Sequence, residues 1–152
     1  MSRFLTTPGD WPSILLGRVA AVSADPSDLD AAVRAGAFEG LRRAVRDHGA
    51  VGTIATIAGS GLRGRGGAGF PTGMKWSFLP ADHPGPIYMC VNADESEPGT
   101  FSNRVLMELD PHQVLEGTML GCYATRATTA YIYLRYEYPL CHERLEQAIG
   151  EC

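Results

Sequence analysis

A glycine-rich segment, residues 59–73 (the glycine loop), is the first part of this chain whose residue types and spacing could carry chemistry. Seven of the 18 glycines fall within it. Glycine lacks a Cβ, so its backbone N–H group can approach a ligand closely and adopt positive φ, as in loops that hold phosphate. Arg63, Arg65 and Lys75 add positive charge within or beside it. The pattern predicts a loop that binds an anionic group.

Several kinds of loop share this composition. The pattern G-x-G-x-x-G over Gly64–Gly69 matches the dinucleotide fingerprint, which needs a strand before it, but residues 54–60 fit a strand or a helix. The loop is not a P-loop, because no Gly-Lys-Ser or Gly-Lys-Thr follows. A flexible surface loop would pair glycine with serine, whereas this one is accompanied by Phe70, Trp76 and Phe78. Such rings suit stacking on a planar ligand.

An acidic turn, residues 94–97, follows Asn92 and is the second candidate segment. Asp94, Glu95 and Glu97 place three carboxylates within four residues. Carboxylates this close repel and raise each other's pKa unless water or cations separate them. If strand geometry persists, Glu95 and Glu97 share one face and Asp94 lies on the other. The segment is either a solvated surface turn or a set of acceptors for ribose or ribityl hydroxyl groups.

Length and composition restrict the class of protein. The 152 residues fit one domain, and 45% hydrophobic with 20% charged residues is typical of a folded globular chain. A net charge of −4 argues against nucleic acid or an anionic membrane as a partner. The longest uncharged stretch, Gly49–Leu62, is too short to span a bilayer, and residues 1–18 lack a signal-peptide core. We therefore expect a cytoplasmic protein without direct membrane insertion.

The four cysteines do not form a recognisable metal-binding motif. Cys90, Cys122, Cys141 and Cys152 are irregularly spaced, with no Cys-x-x-Cys pair. Metal and cluster ligands are usually closely spaced, while free cysteine is among the most buried residue types. The sequence predicts buried structural thiols and no metal site.

The amino-terminal part predicts an irregular lead-in followed by a short helix. Residues 1–26 contain three prolines, so the folded domain is expected over residues 27–152. The segment Ser27–Asp30 has the form of a capping box, and Gly36 can end the helix that it begins.

A second helix is predicted immediately afterwards. Phe38, Leu41 and Val45 are spaced to form one buried stripe, and Gly49 supplies a stop. The arginines of the opposite side form either an anion-binding patch or, as we favour, a solvated helix face; they are Arg42, Arg43 and Arg46.

The second half predicts α/β architecture with a parallel sheet. Residues 87–92 form an apolar run that predicts a buried strand, Asp110-Pro111 begins a packed helix, and residues 129–134 are rich in β-branched and aromatic types. Strand, helix and strand make a right-handed parallel crossover. Ligands of such sheets bind at the carboxyl ends of the strands, where Asp94 and Glu95 emerge. The packed face of the helix is predicted from Val114, Leu115, Thr118, Met119 and Cys122.

The last element is predicted to be an amphipathic helix over Cys141–Ile149. The chain stops three residues later, without the strand that would complete the unit. Either this helix is an edge element, or a longer protein has been truncated here.

Two long motifs, in this order, resemble one family closely. Gly61–Trp76 and Asn92–Phe101 are similar to segments of the NADH-binding flavoprotein subunit of respiratory NADH:quinone oxidoreductase. Relatives of that subunit occur in NAD-linked formate dehydrogenases and bidirectional hydrogenases. Asp110–His112, Glu116-Gly117 and Tyr131–Arg135 resemble the next helix and strand, so the likeness covers the chain from about Ala31 to its end.

The resemblance implies a Rossmann-like but incomplete FMN- and NAD-binding α/β domain, with a helical amino-terminal lead-in. In this family NADH stacks on FMN and passes it a hydride, and no protein side chain is catalytic. The implied cofactor-binding residues are Gly64, Arg65, Gly66, Gly67, Gly69 and Lys75 at the nucleotide, Phe70 and Phe78 at the NADH adenine, Asn92, Asp94 and Glu95 at the flavin, and Glu97 at the NADH ribose and nicotinamide.

The resemblance also implies partner subunits, and this sequence differs from the family pattern in two respects. Electrons leave the family's flavin through iron–sulfur clusters, so iron–sulfur partner subunits are expected, including a thioredoxin-like two-iron subunit, at the periphery of a membrane complex. The chain resembles the amino-terminal half and lacks the family's four-iron cluster motif, so no iron–sulfur centre is expected on it. Ser102-Asn103-Arg104 stands where the family usually has Lys-Asp-Arg.

Two function classes remain open. The first is an NADH:FMN oxidoreductase element, the electron input of an NADH dehydrogenase-type complex, which is expected to be active only with its missing half or with a partner chain that supplies it. The second is a non-catalytic remnant or assembly module that keeps the fold without flavin. A standalone NAD-binding module would need a clear strand before Gly64.

Overall fold

The structure is a computed structural model that describes residues 13–22, 25–80 and 82–152. Much of the predicted lead-in, residues 1–12 and 23–24, lies outside the described residues. In chain order the described elements are α1 (Val19–Val22), α2 (Leu29–Arg34), α3 (Glu39–Arg43), a π-helical turn (Ala44–His48), α4 (Gly49–Gly59), α5 (Thr72–Ser77), β1 (Tyr88–Ala93), α6 (Ser102–Leu109), α7 (Pro111–Thr125), β2 (Thr129–Leu134) and α8 (Pro139–Glu151).

The chain divides into two compact units. The first unit comprises the described residues of Met1–Phe38 together with Ala93–Leu115 and Leu134–Cys152. The second comprises Glu39–Asn92 and Glu116–Tyr133. The glycine loop therefore belongs to the second unit, and the acidic turn belongs to the first.

Strands β1 and β2 form a two-stranded parallel sheet, which confirms the predicted α/β class. The N–H of Thr128 donates to the carbonyl of Ile87 over 2.9 Å, and the N–H of Arg135 donates to the carbonyl of Ala93 over 3.4 Å. From the first of these bonds to the second, the residue number rises along both strands, so the strands run parallel. Helix α7 lies between them in sequence, as the crossover prediction requires.

A strand, β1, forms where the sequence predicts one over residues 87–92, but the prediction that this strand is buried is wrong. Tyr88 is 56% exposed, and Cys90 and Asn92 are also exposed, while Met89 and Val91 are half-buried. A parallel strand is buried on both faces only when other elements cover both faces of the sheet. Within the described residues, one face of β1 is open.

The packed core of the first unit lies around the start of α7. Among its fully buried side chains are Met107, Val22 and Cys141. The carboxylate of Asp110 is buried there, accepts from the N–H of Gln113 over 3.1 Å and pairs with Arg18 over 3.0 Å. These contacts confirm the predicted N-cap of α7.

One detail of the first predicted helix differs from prediction. Asp28, not Ser27, caps α2, because the helix begins at Leu29 and the Asp28 carboxylate accepts from the N–H of Ala31 over 2.9 Å. Gly36 ends this helix with φ of +95°, as predicted.

The predicted stripe of Phe38, Leu41 and Val45 is also wrong in part. Phe38 precedes α3, and Val45 is 56% exposed while its neighbour Ala44 is buried. A π-helical turn holds more residues per turn than an α-helix, so it shifts which side chains face the core. Gly49 ends this turn, but α4 begins there directly. The predicted solvated face is confirmed, since Arg42, Arg43 and Arg46 are all exposed.

The part of α7 in the second unit buries smaller residues than the sequence predicts, since its buried positions are Gly121, Ala124 and Thr125. Leu115 is buried as expected, but Met119 is exposed. Gly121 lies close to Met89 and Trp76, where an added Cβ would stand 3.1 Å from the Met89 methyl. The close-packed part of this helix in the second unit therefore passes through Gly121 and not through Met119.

The prediction of buried thiols holds for one cysteine of the four. Cys141 is buried on α8, and burial raises its pKa to about 11. Cys122 is half-buried, and Cys90 and Cys152 are exposed. Cys90 is exposed because it lies on the open face of β1.

Helix α8 confirms the predicted carboxyl-terminal amphipathic helix, with Cys141, Leu145 and Ala148 buried. In the part of the chain that the structure describes, no helix combines the length and apolar character needed to cross a membrane.

Candidate functional site

The segment that precedes the glycine loop is a helix. Residues 54–60, which fit either element by sequence, lie largely within α4 (Gly49–Gly59). The dinucleotide fingerprint requires a strand at this point, so the match over Gly64–Gly69 lacks its structural context. A standalone NAD-binding module of that type is thereby disfavoured.

The glycine loop is closed at its base by backbone pairing. Arg63 and Pro71 form an antiparallel bridge. The N–H of Gly64 donates to the carbonyl of Phe70, and the N–H of Thr72 donates to the carbonyl of Leu62, each over 2.9 Å. These bonds hold the two ends of the loop together.

The guanidinium of Arg63 adds a third hydrogen bond that closes the loop. Its Nη1 donates to the carbonyl of Gly69 over 3.0 Å. Sequence reasoning treated Arg63 as a cation beside the loop and missed this internal bond. No local sequence signal distinguishes an arginine that binds its own loop from one that faces a ligand.

The outer side of the glycine loop is open. A Cβ added to Gly66, Gly67 or Gly69 would meet no heavy atom within 4 Å. Gly67 has φ of +110° and Gly69 has φ of +60°, conformations that side-chain-bearing residues rarely adopt. The loop thus presents exposed backbone with room for a ligand to approach, which fits a bound phosphate group.

Helix α5 begins at Thr72, at the end of the glycine loop, and makes a close contact with α4. Gly73 is buried, and a Cβ added to it would lie 2.5 Å from the nitrogen of Ala58. Only glycine allows this approach. Lys75 lies two residues beyond the glycine loop and is exposed on the same helix.

The structure brings the two predicted adenine-flanking rings together. The ring centroids of Phe70 and Phe78 are 5.9 Å apart, and their planes are inclined by 58°. Both rings remain exposed, at 43% and 64%. Phe78 and Lys75 also line a cavity of about 450 Å³, whose other residues include Trp76 and Tyr88. Its lining therefore combines aromatic surface with one cation.

The buried carboxylate of Glu95 is engaged within the first unit. Glu95 is 5% exposed, and it accepts from the Asn103 N–H over 2.9 Å and the Arg104 N–H over 3.1 Å. The hydroxyl of Ser102 donates to it over 3.1 Å. These donors begin α6, so Glu95 stabilises the start of that helix. Its role at a flavin stays a prediction.

The hydrogen bonds decide the ionisation of Glu95. Burial raises the pKa of this carboxyl, but the N–H groups of Asn103 and Arg104 and the Ser102 hydroxyl outweigh burial and hold the pKa below its ordinary value. The expectation that neighbouring carboxylates raise one another's pKa is therefore wrong for Glu95. The bond from Ser102 also gives a structural role to one of the two neutral residues that replace charged ones in the resembled family.

The expected pairing of Glu95 with Glu97 is wrong. Strand β1 ends at Ala93, so strand alternation does not continue through the acidic turn. Glu95 is buried, whereas Asp94 and Glu97 are exposed. Asp94 accepts from the hydroxyl of Ser96 over 2.5 Å. The exposed carboxylates of the turn are those of Asp94 and Glu97.

Two residues that sequence reasoning did not assign hold the backbone of the acidic turn. Nη1 of Arg135 donates to the carbonyl of Glu95 over 2.7 Å, and the hydroxyl of Tyr138 donates to the same oxygen over 3.3 Å. The available signal was position, because Arg135 directly follows β2 and the ends of parallel strands meet at one edge.

The predicted site residues thus form two sets, one in each unit. The second unit holds Asn92 and the residues of the loop region: Gly64, Arg65, Gly66, Gly67, Gly69, Phe70, Lys75 and Phe78. The first unit holds Asp94, Glu95 and Glu97. Their roles in binding stay predictions. Across the described residues, no three His, Cys, Asp or Glu side chains are grouped as a metal site would require, and the absence of a cluster stays a prediction too.

Comparison with known proteins gives a family match. Residues 57–152 match the model of the Nuo51 FMN-binding domain. One NADH-quinone oxidoreductase F subunit of Rhizobium meliloti is 52% identical over 116 residues, which cover 76% of this chain and 28% of that protein. The corresponding F subunit of Streptomyces coelicolor is 45% identical over 146 residues, which cover 94% of this chain and 32% of that protein.

A solved structure extends the match to the fold. An NAD⁺-reducing [NiFe]-hydrogenase in the air-oxidised state superimposes with a TM-score of 0.74 at 33% identity, over 92% of this chain and 22% of that one. The present chain spans about a third or less of the curated relatives it matches, a smaller share than the half expected from sequence.

Proposed function

Because this chain belongs to the family of the Nuo51 FMN-binding domain, we propose that it provides part of the site at which NADH reduces FMN. This role would make it an element of the electron input of an NADH dehydrogenase-type complex. When bound, FMN would supply the capacity to accept a hydride and release electrons singly. The residues of this chain would bind and orient the nucleotides.

The open outer side of the glycine loop is the observation that carries this proposal. Gly66 and Gly67 are exposed and Gly69 is half-buried. A Cβ added to any of the three would enter open space, where a ligand could approach. The bonds at the base are internal to the loop and hold its two ends together. A preformed loop loses little conformational entropy on binding, which favours affinity.

Lys75 and Arg65 would neutralise phosphate charge beside the loop, and Phe70 and Phe78 would contact the adenine of NADH. The ring pair is preassembled and exposed, which suits stacking on a planar base. Two cations near exposed loop backbone are a common arrangement for a phosphate group.

The acidic turn and Asn92 would contact hydroxyl groups and not phosphates, because carboxylates repel phosphate. Asp94 and Glu97 are the exposed acceptors of the turn. We assign Asn92, Asp94 and Glu95 to the flavin side and Glu97 to the NADH ribose and nicotinamide. Glu95, whose carboxylate is engaged at the start of α6, would act there through the backbone that it holds.

The proposal extends to organisation and partners. The binding domain would occupy residues 27–152, after a lead-in over residues 1–26. Iron–sulfur subunits, including a thioredoxin-like two-iron subunit, would accept the electrons, and this chain would hold no cluster itself. The complex would lie on the cytoplasmic side at the periphery of a membrane assembly.

The single lysine of the chain allows a direct test. Lys75 is the one lysine among the 13 lysines and arginines, so an amine-specific reagent modifies only Lys75 and the amino terminus. We expect FMN and NADH to slow acetylation of Lys75, measured by mass spectrometry, while the amino terminus reacts at its usual rate. Riboflavin, which lacks the phosphate, should protect less than FMN.

Equal rates of Lys75 acetylation with and without FMN and NADH would contradict the proposal. That result would favour the alternative, a module that keeps the fold without binding flavin. Protection by riboflavin equal to that by FMN would instead show that the phosphate does not lie near Lys75.

A further inference from the structure

Both the side chain and the backbone of Glu95 accept hydrogen bonds from groups outside the acidic turn. Its carboxylate accepts from Ser102, Asn103 and Arg104 at the start of α6. Its carbonyl accepts from Arg135 over 2.7 Å and from the Tyr138 hydroxyl over 3.3 Å. The Tyr138 hydroxyl also lies 3.5 Å from Oε2 of Glu95. The side chain and the backbone of this one residue are therefore both held, and Tyr138 contacts the two of them.

The two donors to the carbonyl are themselves held in place. Nε and Nη2 of Arg135 bind the carboxylate of Glu137 over 2.7 and 2.9 Å. The ring of Tyr138 is buried and lies near two guanidinium groups, with its centroid 5.3 Å from Cζ of Arg104 and 5.7 Å from Cζ of Arg135. Such cation–π contacts favour one ring orientation, and this keeps the hydroxyl aimed at Glu95.

We propose that Arg135 and Tyr138 are positioning residues that fix the direction in which the acidic turn presents Asp94 and Glu97. Asp94 precedes Glu95 and Glu97 lies two residues beyond it, and both are exposed. Because the backbone of Glu95 joins them, rotation about it would move both carboxylates. Holding the Glu95 carbonyl restricts that rotation. The value of this arrangement for ligand binding rests on the proposed function.

Arg135 has a close match elsewhere in the chain that serves as a control. Arg46 binds Asp47 with the same two-pronged geometry, through Nε over 2.7 Å and Nη2 over 2.8 Å. Arg135→Gln and Arg46→Gln remove the same charge and the same kind of ion pair. They differ in that Arg135 also donates to the backbone of the acidic turn.

Amide hydrogen exchange of the full chain, without ligand, tests the positioning role. We expect Arg135→Gln to speed exchange of the Thr100 amide, which donates to the Glu97 carbonyl over 3.1 Å, by about tenfold or more. This is the loss that follows removal of a hydrogen bond to a charged group. Tyr138→Phe, which keeps the ring, should speed this exchange by a smaller factor. Exchange of β1 in Arg135→Gln, and exchange of the Thr100 amide in Arg46→Gln, should match wild type. Unchanged exchange in Arg135→Gln, or acceleration throughout the chain, would overturn the proposal.

NADH titration provides a second readout that separates this proposal from the proposed function. If Arg135 acts through the turn, Arg135→Gln and Glu97→Gln should weaken binding non-additively, so that the double variant is little worse than the weaker-binding single variant. Strictly additive losses would show that Arg135 does not act through Glu97. A wild-type chain that binds no NADH, together with faster exchange in Arg135→Gln, would reject the proposed function and retain the positioning role.

Discussion

Gly73 faces Ala58 so closely that a Cβ on Gly73 would lie 2.5 Å from the Ala58 nitrogen and 2.6 Å from its Cα. Both are backbone atoms, which cannot move aside as a flexible side chain can. We expect Gly73→Ala to lower the free energy of unfolding by about 1–3 kcal/mol, the usual cost of overpacking. Urea unfolding followed by circular dichroism measures this.

Gly66→Ala is the matched control for that change. The same methyl group at Gly66 meets no heavy atom within 4 Å, so stability should stay within about 0.5 kcal/mol of wild type. The added group would instead occupy the space where a nucleotide approaches the loop, and FMN affinity should fall. Equal stability of the two variants would contradict the close contact between Gly73 and Ala58.

Lys75→Ala should weaken nucleotide binding by about 1.5–3 kcal/mol, the range for a hydrogen bond to a charged group, with little effect on folding. Titration with FMN and NADH measures the loss. Arg34→Ala is a suitable control, because Arg34 is also an exposed cation in the last turn of a short helix. Unchanged affinity in Lys75→Ala would place Lys75 on an ordinary solvated surface.

Glu95→Gln should destabilise the chain near neutral pH by about 1.5–3 kcal/mol, since it removes the charge that the start of α6 holds. The folded-state pKa of Glu95 lies below its ordinary value of 4.5, so its stabilising contribution is present above that value and is lost as pH falls through the folded pKa. The difference between wild type and variant should therefore shrink with acidification. A difference that stays constant from pH 7 to strongly acidic pH would show that the charge is not responsible.

Glu97→Gln keeps the shape of the side chain and removes its charge. In a complex reconstituted with the remaining part of a family member, we expect it to change nicotinamide nucleotide affinity more than FMN occupancy. Discrimination against the extra phosphate of NADPH should also relax, because a carboxylate near that phosphate repels it. Glu143→Gln, at an exposed position of α8, is the control. Loss of flavin with unchanged NADH affinity would reverse the two ligand assignments.

The elements with strong local signals were predictable from sequence. Asp110 and Pro111 mark the start of α7, and the β-branched and aromatic residues of β2 mark a strand. The exposure of Val45 and Tyr88 was not predictable. Val45 is turned outward by a π-helical turn, which has no composition of its own, and the burial of Tyr88 depends on whether another element covers the sheet.

The glycine loop and the acidic turn also differed in how much of their structure could be predicted from sequence. Glycine spacing indicated an open loop, because absent Cβ atoms are a local property of the sequence. The burial of Glu95 depends on donors seven to nine residues later and on Tyr138, which lies 43 residues away. The carboxylates of Asp94, Glu95 and Glu97 look equivalent in sequence. Only tertiary contacts determine that Glu95 is buried while the other two are exposed.

Each strand of the two-stranded sheet has one neighbour among the described residues, so its other edge carries backbone N–H and C=O groups without a strand partner there. Tyr131 and Tyr133 are exposed on β2. Open edges of this kind template strand addition from another molecule, and aromatic side chains strengthen such pairing. The net charge of −4 supplies only modest repulsion between copies. Aggregation of the separate chain should therefore rise steeply with concentration and with salt, and the strand edges are where it would begin.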